Sequence, residues 1–372
     1  MANILDYLRW RGDISLAQSP FNDVDNLILA RLSYIKFDGI VPGIGDQMGI
    51  ELGKAVSILC DPDPANPYAV HFTPLSDDDK ALLALLEESE RFSKMILTGY
   101  VNDFDPDAEK QFSALTVLPG DSTAYVAFRG TDNTIVGWKE DFNMSFTTPV
   151  PAQTESVRHL TRIAGMLDLP LRVGGHSKGG NLAVYSSSFC PEQVQKKILC
   201  VYNNDGPGLD QNTISKDGYQ RVKDRILTFV PQSSIVGMML EHEEDYMIVH
   251  STQSGMAQHD PYSWEVLRCD FVTDGHLTDG SRFIDKTLKG WVAQVDAEKR
   301  KFFIDTLYEI VSSTDAKTVR EFSASWGKNA LTFARAYKNM DEETRNILRE
   351  VIAALIRIAR ENLPLPNLPT KK

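Results

Sequence analysis

The chain has 372 residues, which is enough to bury a large hydrophobic core in one large domain or two moderate ones. Hydrophobic residues make up 42% and charged residues 24%, as in an ordinary soluble globular protein, and the net charge of −12 argues against nucleic acid as a general partner. The four cysteines form no Cys-x-x-Cys pair and no cluster with histidine. They therefore predict reduced thiols of a cytoplasmic protein, with no metal site and no cofactor.

The N-terminal part of the chain mixes apolar and charged side chains too closely for a signal peptide, and no run of 18 apolar residues predicts a transmembrane helix. Residues 1–75 contain one clear helical pattern, at 24–35, and are expected to form an extension packed on the core. A second helix is predicted to begin after Ser76, a good N-cap residue, and to extend its apolar face to Ile96. A hairpin with strands at 115–118 and 125–128 should follow.

From residue 157 onwards, the patterns of helices and strands alternate along the sequence. This alternation predicts an α/β fold, with a mainly parallel central sheet flanked by helices, over a core of residues 76–280. Residues 281–372 should form a C-terminal helical region. The helices are predicted at 157–167, 178–187, 302–311, around 330–337 and at 343–361, and the strands at 171–174, 198–202, 226–230 and 247–249.

The last of these helices, at 343–361, has an apolar side and an opposite side of mixed acidic and basic residues. This pattern favours packing on the domain or on a second subunit, as in a homodimer through the C-terminal helices. Peripheral contact with a membrane is the alternative, which a more strictly basic polar face would favour.

Gly175, Ser177 and Gly179 form a Gly-x-Ser-x-Gly motif between a predicted strand and a predicted helix. A nucleophile elbow requires this context, because a sharp strand-to-helix turn exposes the serine hydroxyl at the helix N-terminus. Small glycines on each side let the strand and the helix approach closely. The motif predicts Ser177 as the nucleophile of an α/β-hydrolase; a glycine-rich turn with a solvent-facing serine is the alternative.

Residues 175–183, with the sequence GHSKGGNLA, and residues 127–131, with the sequence AFRGT followed by Trp138 and Asp141, carry a family resemblance. Together they resemble the fungal-type (class 3) triacylglycerol lipases, whose motifs are G-H-S-x-G-G-x-L-A and F-R-G-[ST] followed by W and D. The resemblance covers roughly residues 114–264 and implies an α/β-hydrolase fold in a bacterial, lipase-like branch. It also implies that Thr131 supplies an oxyanion-hole donor, together with the backbone N–H of Lys178.

A serine nucleophile needs a general base, and in this fold the histidine follows the acid along the chain. His259 lies in a loop after a predicted strand, where a side chain can reach the elbow, and it is the preferred base. His250 and His276 are the alternatives. His242 stands among glutamates and is interpreted as part of a solvated face.

The acid departs from the class 3 pattern, because Ser234 stands where that family places an aspartate. Asp205, at the end of the strand that follows the nucleophile helix, is the preferred acid. Pancreatic-type lipases carry their acid at this strand end. Asp205 could instead cap a turn at Gly206-Pro207, and Asp260 is a second, less favourable candidate.

These residues predict an esterase or lipase-like hydrolase that acts on a small-molecule or lipid ester. A thioesterase or amidase, and a catalytically impaired scaffold with the same fold, are the alternatives. Residues 235–240 are apolar and would line an acyl pocket or form a core helix. Lys178 would favour an anionic or polar ester or would simply point to solvent.

Overall fold

A computed structural model describes residues 1–45, 49–63, 66, 68, 75–105, 110–131, 143–144, 148–312, 337–338 and 340–362. Most of the helix predicted around 330–337, together with Trp138 and Asp141, lies outside these residues.

One eight-stranded sheet forms the centre of the molecule, with its strands in sequence order. The pairings from β1 to β4 are antiparallel, and the pairings from β4 to β8 are parallel. The α/β fold predicted from the sequence is therefore confirmed, with parallel pairing confined to the part that carries the candidate site. The strands are β1 (Ile50–Glu51), β2 (Ile96–Asp105), β3 (Lys110–Leu118), β4 (Ala124–Phe128), β5 (Leu171–His176), β6 (Ile198–Asn204), β7 (Ile226–Pro231) and β8 (Tyr246–Val249), and a separate two-stranded sheet contains β9 (Val266–Leu267) and β10 (Asp270–Phe271).

Helices precede, flank and follow this sheet. In the part of the chain that the structure describes they are α1 (Ile4–Arg11), α2 (Asp23–Leu32), α3 (Leu52–Leu59), α4 (Asp77–Glu88), α5 (Pro151–Met166), α6 (Lys178–Phe189), α7 (Glu192–Gln195), α8 (Gln211–Ile214), α9 (Asp217–Val222), α10 (Asp279–Gln294), α11 (Ala297–Ser312) and α12 (Glu342–Asn362), with short 3₁₀ helices at Lys223–Arg225, Gly255–His259 and Pro261–Ser263.

The helix after Ser76 is shorter than the sequence pattern suggests. Ser76 does cap it, by accepting a hydrogen bond from the Asp79 backbone N–H. The helix ends at Glu88, however, and Ile96 begins strand β2, where it pairs with Leu118 of β3. The prediction of a helical face as far as Ile96 is wrong because pairing within the sheet overrides the apolar periodicity.

The N-terminal segment packs against the sheet through α2. Leu27 and Ile28 of this helix are fully buried in the same hydrophobic cluster as Tyr125 of β4. The Asn26 side chain accepts a hydrogen bond from the Tyr125 hydroxyl (2.7 Å) and donates one to the Asn204 side chain of β6 (2.9 Å). These contacts fix the first turn of α2 beside the central strands, while the division of the chain into three regions stays a prediction.

Helices α10, α11 and α12 form a smaller apolar cluster that includes Trp291, Val295, Val351 and Ile358. A second side of α12 leaves apolar residues exposed; these are Ile352, Leu355 and Ile356. Pairing of two copies through this region stays a prediction. Within the described ranges, no helix is both long and apolar enough to cross a membrane.

The direction of the strands sets the position of the candidate site. Since β4, β5, β6 and β7 run parallel, their carboxyl ends meet at one edge of the sheet. Thr131, Ser177, Asp205 and Ser234 follow these four strands in that order.

Candidate active site

Ser177 occupies the sharp turn between β5 and α6. Its backbone has φ 59° and ψ −135°, a strained region that non-glycine residues rarely occupy. A Cβ on Gly175 would lie 2.3 Å from the backbone of Gly179, and a Cβ on Gly179 would lie 2.1 Å from the Phe128 carbonyl oxygen. Only glycine therefore fits at these two positions, as the nucleophile-elbow motif requires.

Asp205 and His259, the preferred acid and base, lie in direct contact. The Asp205 carboxylate is buried, and its Oδ2 lies 2.7 Å from His259 Nδ1. Its other oxygen, Oδ1, accepts hydrogen bonds from the Ser234 hydroxyl and from the Gly237 backbone N–H (3.1 Å). An ionised carboxylate only accepts hydrogen bonds, so the imidazole must carry its proton on Nδ1 and present Nε2 as the basic nitrogen.

Ser234 explains how the acid can come from a different strand. This residue stands after β7, where the class 3 pattern places an aspartate, and its buried hydroxyl contacts the Asp205 carboxylate from β6. The carboxylate thus lies beside the position expected for the class 3 acid. Ser234 donates a hydrogen bond to it.

His259 lies beside the nucleophile turn. Its ring centroid is 4.6 Å from that of His176, the residue immediately before Ser177. In the described part of the chain no hydrogen bond joins Ser177 Oγ to His259 Nε2, although such a bond is often long before substrate binds. The structure therefore brings the acid and the base into contact, and the ring of the residue before the serine packs against the base.

Thr131 and Lys178, the candidate oxyanion donors, flank Ser177 on two sides. Thr131 follows Gly130, and a Cβ on Gly130 would lie 3.0 Å from Ser177 Cβ. Lys178 is the first residue of α6, whose N-terminus favours negative charge. The Lys178 side chain is 1% exposed, and its Nζ donates to the Gln111 carbonyl oxygen at 3.0 Å. It does not point to solvent, which is a correction to one of the two orientations considered from the sequence.

The alternative acid and base residues have other partners. His250 Nδ1 lies 2.8 Å from a Glu265 carboxylate oxygen, and His276 is exposed. Asp260 accepts a hydrogen bond from the Tyr262 backbone N–H and caps a short 3₁₀ helix. In the ranges that the structure covers, no hydrogen bond or ion pair joins these three residues to Asp205 or to Ser177.

His242 does not lie on a solvated face, as its sequence neighbours suggested. Its side chain is 5% exposed, with Nδ1 at 3.0 Å from a Glu244 carboxylate oxygen and Nε2 at 2.7 Å from the Gly237 carbonyl oxygen. Both ring nitrogens therefore face oxygen atoms, one on the Glu244 carboxylate and one on the Gly237 backbone. The Gly237 backbone N–H donates to Asp205, so the contacts of His242 support the loop beneath the acid.

Replacing Glu244 by glutamine is expected to lower the free energy of unfolding at neutral pH by about 2 kcal/mol. Burial opposes ionisation of Glu244, but hydrogen bonds from His242, Tyr219 and Thr228 outweigh it and lower its pKa from 4.5 to about 2. A lowered pKa stabilises the fold above pH 4.5, and this contribution is lost as the pH falls towards 2. Urea unfolding at neutral and acidic pH should show the difference between wild type and variant shrinking on acidification.

The neighbouring Glu243 is the matched control for this substitution. It is exposed and pairs with Lys223 at the surface, so Glu243→Gln should change the free energy of unfolding by less than about 0.5 kcal/mol. Equal urea midpoints for wild type and Glu244→Gln at neutral pH would contradict the stabilising role of the buried pair.

A cavity of about 460 Å³ lies among the loops after β6 and β7 and helix α10. Residues 235–240, predicted as an acyl-pocket wall or a core helix, form no helix. Met239 and Leu240 line the cavity, whereas Ile235 and Val236 line a narrow cleft with Asp205 and His259. Further apolar walls are provided by Met144, Leu209, Leu288, Trp291, Val292 and Ala293.

The cavity wall is connected to the nucleophile helix by hydrogen bonds. The Asn181 side chain, in the first turn of α6, donates to the Gly208 carbonyl oxygen at 2.8 Å. The Gly208 backbone N–H in turn donates to the Met239 carbonyl oxygen at 2.9 Å. The apolar cavity therefore begins one loop away from the turn that holds Ser177.

Comparison with known families adds a sequence relationship to this geometry. The sequence model of the Mbeg1-like family matches residues 86–309, which is more than half of the chain. The chain belongs to the Mbeg1-like family. The matched part of this Mbeg1-like protein includes Ser177, Asp205 and His259. Membership of a bacterial class 3 lipase branch stays a prediction.

Two solved lipase structures show a weak likeness to the Mbeg1-like chain. The native Rhizomucor miehei lipase propeptide complex aligns with a TM-score of 0.32 and 16% identity, over 42% of this chain and 57% of its own. The M37 lipase aligns with a TM-score of 0.34 and 15% identity, over 57% of this chain and 68% of its own. The chain thus spans little more than half of the Rhizomucor lipase, and a search of curated proteins found no significant match.

Two features of the site, His176 and Tyr34, went unnoticed in the sequence, and the burial of the Lys178 side chain was not foreseen. His176 is part of the Gly-x-Ser-x-Gly motif, but the motif does not predict which groups the imidazole of His176 contacts. Tyr34 has no motif at all, although its hydroxyl lies 2.1 Å from where a Cβ on Gly130 would be. The buried Lys178 looked like a surface residue because lysine is rarely enclosed.

Proposed function

We propose that this protein is a serine hydrolase that cleaves carboxylic esters through an acyl-enzyme on Ser177. The observation that carries this proposal is the contact between the buried Asp205 carboxylate and the half-buried His259 ring, 2.7 Å apart, at the sheet edge where Ser177 is held at positive φ on a strand-to-helix turn. A strained serine next to an oriented imidazole is the arrangement that activates a hydroxyl for nucleophilic attack.

In the proposed reaction, Ser177 Oγ attacks the ester carbonyl carbon while His259 Nε2 takes the hydroxyl proton. The carbonyl electron pair moves to oxygen, where the backbone N–H groups of Thr131 and Lys178 would stabilise it. Collapse of this intermediate breaks the bond to the alcohol, which leaves with the proton from His259. Water then attacks the acyl-enzyme by the same route, and Asp205 stabilises the imidazolium in both steps.

The cavity described above supports an ester with an apolar acyl or alcohol group. Its walls are mostly apolar, and its volume lies within the range of small-molecule sites. Enclosure of the Lys178 side chain argues against a role for this lysine in recognising an anionic ester. Thioesters and amides would pass through the same acyl-enzyme, and matched oxygen ester, thioester and amide substrates would separate these activities.

A fluorophosphonate is expected to label Ser177, because an activated serine attacks the electrophilic phosphorus and displaces fluoride. Mass spectrometry of the digested protein should locate the adduct on the peptide that contains Ser177. A series of alkyl fluorophosphonates should react faster as the chain lengthens, if the apolar cavity receives the alkyl group.

Ser177→Ala is the control for specific labelling, and circular dichroism checks its fold. Ser188, a buried serine on the same helix whose hydroxyl donates to the Val184 carbonyl oxygen, is the matched serine that should remain unmodified. Equal labelling of wild type and Ser177→Ala would refute the assignment of the nucleophile.

A further inference from the structure

His176 lies between the nucleophile turn and the loop that carries His259. Its imidazole is buried, and Nε2 lies 2.8 Å from the His259 carbonyl oxygen. A carbonyl oxygen only accepts hydrogen bonds, so Nε2 carries the proton and donates it. The side chain before the serine thereby binds the backbone of the proposed base.

The loop that carries His259 is exposed before this residue and is hydrogen-bonded on both sides of it. Residues 252–257, which precede His259, are exposed, and the exposed fraction of Met256 is 62%. The neighbouring Gln258 holds the base of the loop by accepting from the Ser233 backbone N–H and, through its carbonyl oxygen, from Trp264 Nε1. The carbonyl of His259 itself accepts from His176, so this bond fixes the peptide from which the reacting imidazole projects.

Tyr34 contacts the other face of this arrangement. Its hydroxyl lies 3.1 Å from His176 Nδ1 and 3.2 Å from the His176 carbonyl oxygen. Burial, and next the neighbouring His259, lower the pKa of His176 well below its usual range, so the ring is neutral. The single Tyr34 hydroxyl proton lies between two acceptors, His176 Nδ1 and the His176 carbonyl oxygen, and this arrangement is compatible with the tautomer that has its proton on Nε2.

Tyr34 is itself held firmly from the N-terminal side. The Arg31 guanidinium lies 4.7 Å from the centre of the Tyr34 ring. Arg31 also makes a two-pronged contact with Asp79, at 2.8 and 2.7 Å, and Asp79 accepts from the Tyr262 hydroxyl at 2.7 Å. These contacts connect the end of α2 to the segment that follows His259.

We propose that His176 and Tyr34 are positioning residues that hold the backbone of His259, so that its ring stays between Asp205 and Ser177. The proposal rests on the proposed function, because it assigns His259 as the base. Tyr34 holds the ring and the backbone of His176, His176 anchors the His259 carbonyl, and the anchored backbone keeps His259 Nδ1 on the Asp205 carboxylate. Tyr34 precedes residues 86–309, so the N-terminal segment would supply a part of the active site that the matched family region lacks.

The test compares His176→Leu, which removes the donor, with His176→Gln, whose longer amide can still donate to the His259 carbonyl. His176→Leu is expected to lower kcat for a chromogenic ester about 100-fold, because a small displacement of a reacting group has effects of this size. The KM should change little, since neither residue needs to contact substrate. His176→Gln should recover at least part of kcat, and Tyr34→Phe should lose roughly five-fold.

A proton NMR measurement gives a readout that does not depend on turnover. The His259 Nδ1–H bonded to Asp205 should give a strongly downfield resonance, assigned by its loss in His259→Ala. The resonance should persist in His176→Gln and broaden or disappear in His176→Leu. If wild type shows the resonance but neither labelling nor hydrolysis, the proposed function fails, and loss of the resonance in His176→Leu still supports the positioning role.

His159 provides a matched control, because it is also a buried histidine, packed against Phe112 and Phe128 on the sheet-facing side of α5. His159→Leu should leave kcat and the downfield resonance unchanged, whatever its effect on the melting temperature. If His176→Leu does not fold, Tyr34→Phe decides the matter by the same two readouts. A folded His176→Leu with wild-type kcat and an intact resonance would overturn the proposal, as would an equal loss of kcat in His159→Leu.

Discussion

Replacing His259 by alanine is expected to lower kcat for ester hydrolysis by on the order of 10³ or more. Without the imidazole, no group would take the proton from Ser177 or return it to the leaving alcohol. Steady-state kinetics on wild type and variant, with circular dichroism to check the fold of the variant, test this expectation.

The alternative bases from the sequence are the controls for this result. His276→Ala removes an exposed side chain, and His250→Ala removes a ring that faces Glu265. Both variants should retain kcat within a factor of about two, because surface and distant substitutions have small effects. A loss of less than about tenfold in His259→Ala, together with a large loss in either control, would move the base to the other histidine.

The nucleophile turn could be predicted because its requirements are local. Gly175, Ser177 and Gly179 lie within five consecutive residues, and each glycine meets a backbone approach that excludes a Cβ. Strand β5 and helix α6, on either side, were also predicted from the sequence, at 171–174 and 178–187. Here, local pattern and tertiary structure impose the same constraint on the same residues.

The contacts around the base could not be predicted in this way. The bonds from His176 to His259 and from Tyr34 to His176 join positions separated by 83 and 142 residues. The periodicities of helices and strands relate only residues that are close in sequence, so they cannot predict these contacts. The burial of His242 was missed for a related reason, because its glutamate neighbours suggested solvent, whereas Glu244 turns inward to meet it. A run of charged residues predicts a solvent-exposed segment only when none of its side chains pairs with a buried group.

Replacing Asp205 by asparagine is expected to keep the fold and lower kcat by on the order of 10³ to 10⁴. The backbone of Asp205 has φ 51°, a conformation that asparagine tolerates well, so the substitution adds little strain. The amide can donate to His259 Nδ1 and so favour the imidazole tautomer that places the proton on Nε2, where it cannot act as a base. Kinetics and circular dichroism together separate this loss of activity from unfolding.

Asp260→Asn is the matched control, because Asp260 adjoins His259 in sequence but caps a short helix, and its variant should remain active.

Ser234→Asp tests the position of the acid directly. The Ser234 hydroxyl already contacts the Asp205 carboxylate, so a carboxylate at 234 would enter the same space from the neighbouring strand. In the Asp205→Asn background it should restore part of kcat, since the imidazolium needs a nearby negative charge whichever strand supplies it. If Asp205→Asn stays nearly fully active while Ser234→Ala is inactive, Asp205 is not the acid, and the hydrogen bonds of Ser234 would have to orient His259 instead.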